Sequence, residues 1–224
     1  MMQRLSGRRV VVTDCDELIG PEIAVVFREA GAEVLVDRRD LTAPQAAAEL
    51  IAQAGHVDVL VANLAAPALG RLAIESDDAE LDLMLDRMVR PLHRLVRAVL
   101  PQMIARHSGK IVVVGAGAAL RGVPRRAVYS AARAAQHGYV RSVAMEAAPH
   151  NVQVNATAQT FVENPTYFPP AYQTTSEFQE RMRGVPAGRL ATAREAATFL
   201  LTLAGPESDF LVGQVFPFTG GWVH

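Results

Sequence analysis

The chain has 224 residues and one cysteine, Cys15, so no internal disulfide can form, which fits a reducing compartment. It has no excess of charge of either sign. Lys and Arg number 22 against 23 Asp and Glu, and a net charge of −1 favours neither nucleic acid nor an anionic membrane as a partner. Long hydrophobic runs are missing too. Arg4, Arg8 and Arg9 near the start are followed by no apolar segment of signal-peptide or membrane-span length. The six histidines (His56, His93, His107, His137, His150, His224) show no metal-ligand spacing, so no metal is expected. No G-x-S-x-G occurs, which removes an α/β-hydrolase nucleophile elbow. Repeats, linkers and low-complexity tracts are also missing. What remains is a cytoplasmic protein forming one domain over residues 1–224, long enough for a substantial core.

What is present alternates between two patterns. Short runs rich in β-branched residues at 9–13 (RVVVT), 33–36, 57–62 (VDVLVA), 110–115 (KIVVVG), 152–156 and 214–218 read as strands. Helical spacing marks 21–30, 44–54, about 79–106 with a kink at Pro91, 129–148, 177–183 and 193–204. The alternation predicts an α/β fold: a Rossmann-like, doubly wound parallel sheet covered on both faces. The stretch 159–172 (QTFVENPTYFPPAY) breaks the regularity with three prolines and four aromatics. Following a late strand, it predicts a loop over the carboxyl edge of the sheet, where such folds bind ligands.

A dinucleotide fold needs glycines at its first strand–helix turn, so that backbone N–H groups can approach a pyrophosphate. Here the turn reads Thr13-Asp14-Cys15-Asp16-Glu17-Leu18-Ile19-Gly20. One glycine remains, three carboxylates occupy the place of an anion-binding loop, and Leu18 projects towards the pocket. Like charge repels a pyrophosphate, and the added side chains obstruct its approach. Only about twenty residues separate Asp37 from Asp58, room for one helix but not for a further strand to wall an adenine. No nicotinamide cofactor is expected.

Tyr129-Ser130-Ala131-Ala132-Arg133 opens a helix, and the i, i+4 spacing sets the Tyr129 phenol and the Arg133 guanidinium on one face. A permanent positive charge there favours the phenolate and suits Tyr129 to general-base work. A tyrosine packing on an arginine stem gives the same pattern without chemistry. The wider sequence decides between them. VDVLVAN at 57–63, VLP at 99–101, VQVNA at 152–156 and FLVGQVFPFTGG at 210–221 resemble the short-chain dehydrogenase/reductases over nearly the full length. In that family a lysine stands where Arg133 stands here. Tyrosine plus arginine, the lost glycines, RPLHRLVRAVLP at 90–101 and GRLATARE at 188–195 resemble the halohydrin dehalogenase branch.

The resemblance implies cofactor-independent conversion of vicinal haloalcohols to epoxides, with Tyr129 as base and Arg133 stabilising the phenolate. It also implies the reverse opening of epoxides by small anions such as halide, azide, cyanide or nitrite. By position, Leu18, Gln159, Thr160, Phe161 and Val162 line the halide and substrate pocket, and Tyr167, Phe168 and Pro169 close it. A homotetramer is implied as well, the arginine stripe Arg87, Arg90, Arg94 and Arg97 being solvated or facing a subunit. One position departs from the family. The serine expected thirteen residues before the tyrosine is Ala116, whose methyl group can form no hydrogen bond. Losing such a donor costs on the order of a hundred- to a thousand-fold in rate. Ala116 is read either as an engineered replacement of serine, which the otherwise intact site favours, or as a natural loss. An NAD(P)-dependent oxidoreductase and a non-catalytic ligand-binding relative are the alternative readings.

Overall fold

Six short β-branched segments build the sheet in the computed structural model, which describes residues 4–223. The strands are β1 (Arg9–Val12), β2 (Glu33–Val36), β3 (Val59–Ala62), β4 (Gly109–Ala116), β5 (Val152–Gln159) and β6 (Val215–Phe218). They lie in the order β2-β1-β3-β4-β5-β6, and every neighbouring pair is parallel. Parallel strands need crossovers, and the crossover helices cover both faces. One face packs Val11, Leu60, Ile111, Val113 and Val154 against α2 (Ala46–Ala54), α4 (Arg90–Arg106) and α5 (Ala127–Ala147). The alternate residues Val10, Val12, Val61, Val112 and Val114 pack against α1 (Gly20–Glu29) and α8 (Ala193–Ala204). Two buried layers result, which is why the strands read as unbroken apolar runs. Among the described residues no helix is long and apolar enough to cross a membrane.

Chain order reverses between β1 and β3, and the cleft of such a sheet opens at the carboxyl ends of the strands beside that reversal. Among the described residues the sheet ends at β2, which a single helix, α2, joins to β3. The abbreviated side inferred from the Asp37–Asp58 spacing is therefore an open sheet edge.

Two elements differ from the sequence reading. The helix expected over 79–106 is built of α3 (Asp78–Met84), a π-helical turn over Leu85–Val89, and α4. The widened turn ends two residues before Pro91, whose missing N–H cannot serve a carbonyl one turn back. Strand β5 runs to Gln159, three residues beyond the apolar pattern, because its polar residues keep pairing with β4 and β6. Within the loop that follows lies the short helix α6 (Pro170–Gln173), and α7 (Ser176–Arg183) comes after it. Phe161, Phe168, Phe178 and Met182 form their own small core beneath these helices, separate from the sheet layers.

Phe27 on α1 is fully buried against the sheet. Phe27→Ala should lower unfolding free energy by about 3–5 kcal/mol, read from urea denaturation as a fallen midpoint with unchanged slope. A loss below about 1 kcal/mol would contradict the α1–α8 layer as described.

Candidate active site

The first turn holds two non-glycine residues in a backbone conformation that favours glycine. Asp14 and Leu18 hold φ of 43° and 52°, the left-handed region in which glycine is the ordinary occupant. Gly20 remains because a Cβ there would lie 2.5 Å from the carbonyl oxygen of Cys15. Asn63, at the end of β3, fixes the turn. Its Nδ2 donates to the carbonyls of Asp14 and Glu17 at 3.0 and 3.2 Å, and its N–H donates to the Thr13 hydroxyl. Sequence reasoning used Asn63 only as part of a motif and missed this role.

This turn does not fit a pyrophosphate. Asp14, Asp16 and Glu17 line a cavity of about 600 Å³ beside it, together with Asp40 and three arginines, Arg38, Arg39 and Arg87. Burial, reinforced by the charges of Asp37 and Glu17, raises the Asp14 carboxyl to about 6. A phosphate brought up to the turn itself would meet the carboxylates of Asp14, Asp16 and Glu17, although Arg87 offers an opposite charge in the same cavity. Two of the basic groups are already engaged, Arg38 with Asp16 and Arg39 with Asp37.

A second cavity, of about 550 Å³, holds the tyrosine–arginine pair. Tyr129 sits in the first turn of α5, and Arg133 donates from Nε to its phenol oxygen at 3.2 Å, with Cζ 5.3 Å from the ring centroid. Arg133 is only 3% exposed. Its Nη1 lies 2.8 to 2.9 Å from the carbonyls of Leu64 and Val114 and from Gln136 Oε1, while its Nη2 has no hydrogen-bond partner among the described residues. Gln136 is fully buried and donates in turn to the carbonyl of Met88 in the π-helical turn. One turn further along α5, His137 packs on Gly115, where any Cβ would strike its ring at 2.4 Å. Burial, and then the charges of Arg133 and Arg141, lower His137 to about 4, so it backs the site as a neutral imidazole.

The proposed site residues come together in this cavity. Ala116 lines it from the end of β4, in register with Gln159 at the end of β5. Leu18 enters from the first turn, and Gln159, Thr160, Phe161 and Val162 from the segment after β5. Tyr167, Phe168 and Pro169 line it from the loop above. The Tyr167 hydroxyl donates to the carbonyl of Ala66 at 3.2 Å, and burial raises that phenol, so it stays protonated. Ser130 is not among the lining residues. Lining residues that sequence reasoning missed include Arg126, Asn164, Arg181 and Trp222; their spacing carries no motif. A larger cavity, about 700 Å³, lies against α8 and contains neither Tyr129 nor Arg133.

Fold and site together define a doubly wound dehydrogenase-type domain with a tyrosine–arginine helix at its carboxyl edge. Residues 4–223 match the family model described as enoyl-(acyl carrier protein) reductase, and the chain belongs to the short-chain dehydrogenase/reductase family. It is 28% identical over 247 residues to dehydrogenase/reductase SDR family member 6 of Danio rerio, covering 99% of both chains. Among solved structures it is similar to a protein described as a dehalogenation enzyme. That match has 32% identity and a TM-score of 0.89, and covers 98% of this chain and 100% of the other. It is also similar to halohydrin dehalogenase HheC bound to ethyl (2S)-oxiran-2-ylacetate, with 26% identity, a TM-score of 0.88, and coverage of 96% and 97%.

The turn generates a pH prediction. A carboxyl raised in the folded state adds stability at low pH that is lost as pH rises through its folded value of about 6. Asp14→Asn keeps a side chain that tolerates the left-handed conformation and removes that loss. It should raise the melting temperature at pH 8, with the gain disappearing below about pH 4. An equal or lower melting temperature at pH 8 would contradict the strained, acidic turn.

Proposed function

We propose that the protein is a halohydrin dehalogenase, a cofactor-independent carbon–halogen lyase acting on vicinal haloalcohols. The observation that carries this reading is the first turn. It sends Leu18 into the Tyr129 cavity and sets Asp14, Asp16 and Glu17 where a dinucleotide phosphate would have to lie. Similarity to two solved proteins named for dehalogenation supports it. Tyr129, with Arg133 donating to its oxygen, takes the substrate hydroxyl proton as general base. The alkoxide attacks the adjacent carbon and expels chloride or bromide as that carbon–halogen bond breaks, which leaves the epoxide. Because attack and departure occur within one molecule, orientation is the main contribution asked of the protein. Leu18, Thr160, Phe161 and Val162 receive the halide. In reverse, azide, cyanide or nitrite opens an epoxide at the same place. The family resemblance extends the proposal to a cytoplasmic homotetramer.

A second reading is an NAD(P)-dependent oxidoreductase of the same family. The family model and the curated relative are named for reductase and dehydrogenase activity, and taken alone the comparisons back this reading better. A nucleotide phosphate would seek positive charge in the 600 Å³ cavity, which Arg87 lines without an ion-pair partner among the described residues and beside which Arg38 and Arg39 follow β2. Their pairing with Asp16 and Asp37, and the acidic turn facing them, weigh against it. We therefore place the dehalogenase first on the chemistry of the turn.

Restoring the missing hydroxyl tests the proposal. Ala116→Ser should increase bromide release from 1-bromo-2-propanol by about a hundred- to a thousand-fold. Tyr129→Phe in that background should abolish the release. No release from either the unmodified protein or A116S, with native circular dichroism retained, would overturn the lyase reading.

A further inference from the structure

Three arginines line the Tyr129 cavity, Arg126, Arg133 and Arg181, and no aspartate or glutamate does. None of the three has a carboxylate within ion-pair distance among the described residues. Their sequence neighbours do: Arg125 meets Glu75 at 3.6 Å, and Arg183 meets Glu180. Among the described residues other arginines also lack a carboxylate partner, Arg28 and Arg97 among them; what marks this cavity is that three such arginines line it with no acid beside them.

Each guanidinium is held by something other than an acid. Arg133 is buried and occupied by carbonyls, Gln136 and Tyr129. Arg181 lies over the rings of Phe161 and Phe168, its Cζ 5.4 and 5.6 Å from their centroids. Cation–π contact fixes the plane of a guanidinium while leaving its N–H edge free to donate. Arg126 is the residue preceding α5, half-buried, and the first turn of that helix contains no acidic residue. The positive end of a 21-residue helix therefore adds to its charge. Among the described residues neither Arg126 nor Arg181 donates a side-chain hydrogen bond, so two guanidinium forks are available at the cavity while Arg133 is committed to Tyr129.

A positive, partly apolar cavity with two free forks matches an organic acid in charge and shape. Guanidinium takes a carboxylate through paired, charge-assisted hydrogen bonds. The apolar lining, including Val123, Phe161, Phe168 and Trp222, suits a short carbon skeleton better than a multiply charged phosphate. We propose that the substrate carries a carboxylate bound by Arg126 and Arg181, with its reacting oxygen at Tyr129: a halo-hydroxy acid rather than a neutral haloalcohol. The reacting end rests on the dehalogenase reading given above; the carboxylate end stands without it.

The test compares 4-bromo-3-hydroxybutanoate with its ethyl ester, titrated calorimetrically into the unmodified protein in chloride-free zwitterionic buffer at low ionic strength. The acid should bind about tenfold or more tightly than the ester, as expected for charge-assisted pairs. Arg126→Gln and Arg181→Gln should each weaken the acid about five- to tenfold and leave the ester unchanged. The proposal is overturned if the ester binds as tightly as the acid, if neither binds, or if both variants keep the acid's affinity. Bromide release by the A116S variant separates the two readings. Preference for the acid without any bromide release sinks the lyase and keeps the carboxylate site; bromide released from the ester with no preference for the acid does the reverse.

Discussion

The burial of one guanidinium without a carboxylate is the constraint on which the rest of the site depends. Taking a lone charge out of water costs several kcal/mol even after relaxation, so its surroundings must supply hydrogen bonds throughout. Arg133 obtains them from the carbonyls at the ends of β3 and β4, from Gln136 and from Tyr129. Gln136 passes the demand on to the carbonyl of Met88, in the widened turn before α4. A single side chain therefore ties two strand ends to α5 and to the irregular turn. The phenol of Tyr129 becomes the outlet for the uncompensated charge. Any group that develops negative charge beside that phenol is stabilised by a cation already desolvated and in place.

The first turn supplies the complement. Its backbone takes left-handed conformations at Asp14 and Leu18 and is held by Asn63 at the end of β3. Its side chains reverse the electrostatics, with carboxylates on one side and Leu18 on the other. Two cavities lie beside the turn, one lined by four carboxylates and three arginines, the other by three arginines and no carboxylate, and Tyr129 and Arg133 belong to the second. The scaffold carries its tyrosine helix together with a first turn in which carboxylates stand where a dinucleotide-binding turn has glycines.

Much of this was legible in the sequence, for identifiable reasons. Buried parallel strands announce themselves through β-branched runs, and the i, i+4 pair of Tyr129 and Arg133 needs only helical geometry. The acidic turn is visible because the residues missing from it are glycines, which have a defined backbone task. The end of β5 was not legible, because Thr157 and Gln159 break the apolar pattern while still pairing with their neighbours. The parts played by Arg126 and Arg181 were hidden for another reason. An exposed arginine and a ligand-binding arginine look alike until the position of every nearby acid is known. The bond from Gln136 to the Met88 carbonyl in the π-helical turn likewise joins residues 48 apart, which no local window contains.

The central claim is that the remade turn no longer accepts a dinucleotide. Calorimetric titration of the unmodified protein with NADH and with NADPH tests it most directly. The account predicts no saturable heat for either nucleotide up to millimolar concentration. Saturation of one site in the micromolar range by either nucleotide would contradict it and return the protein to the oxidoreductases of its family.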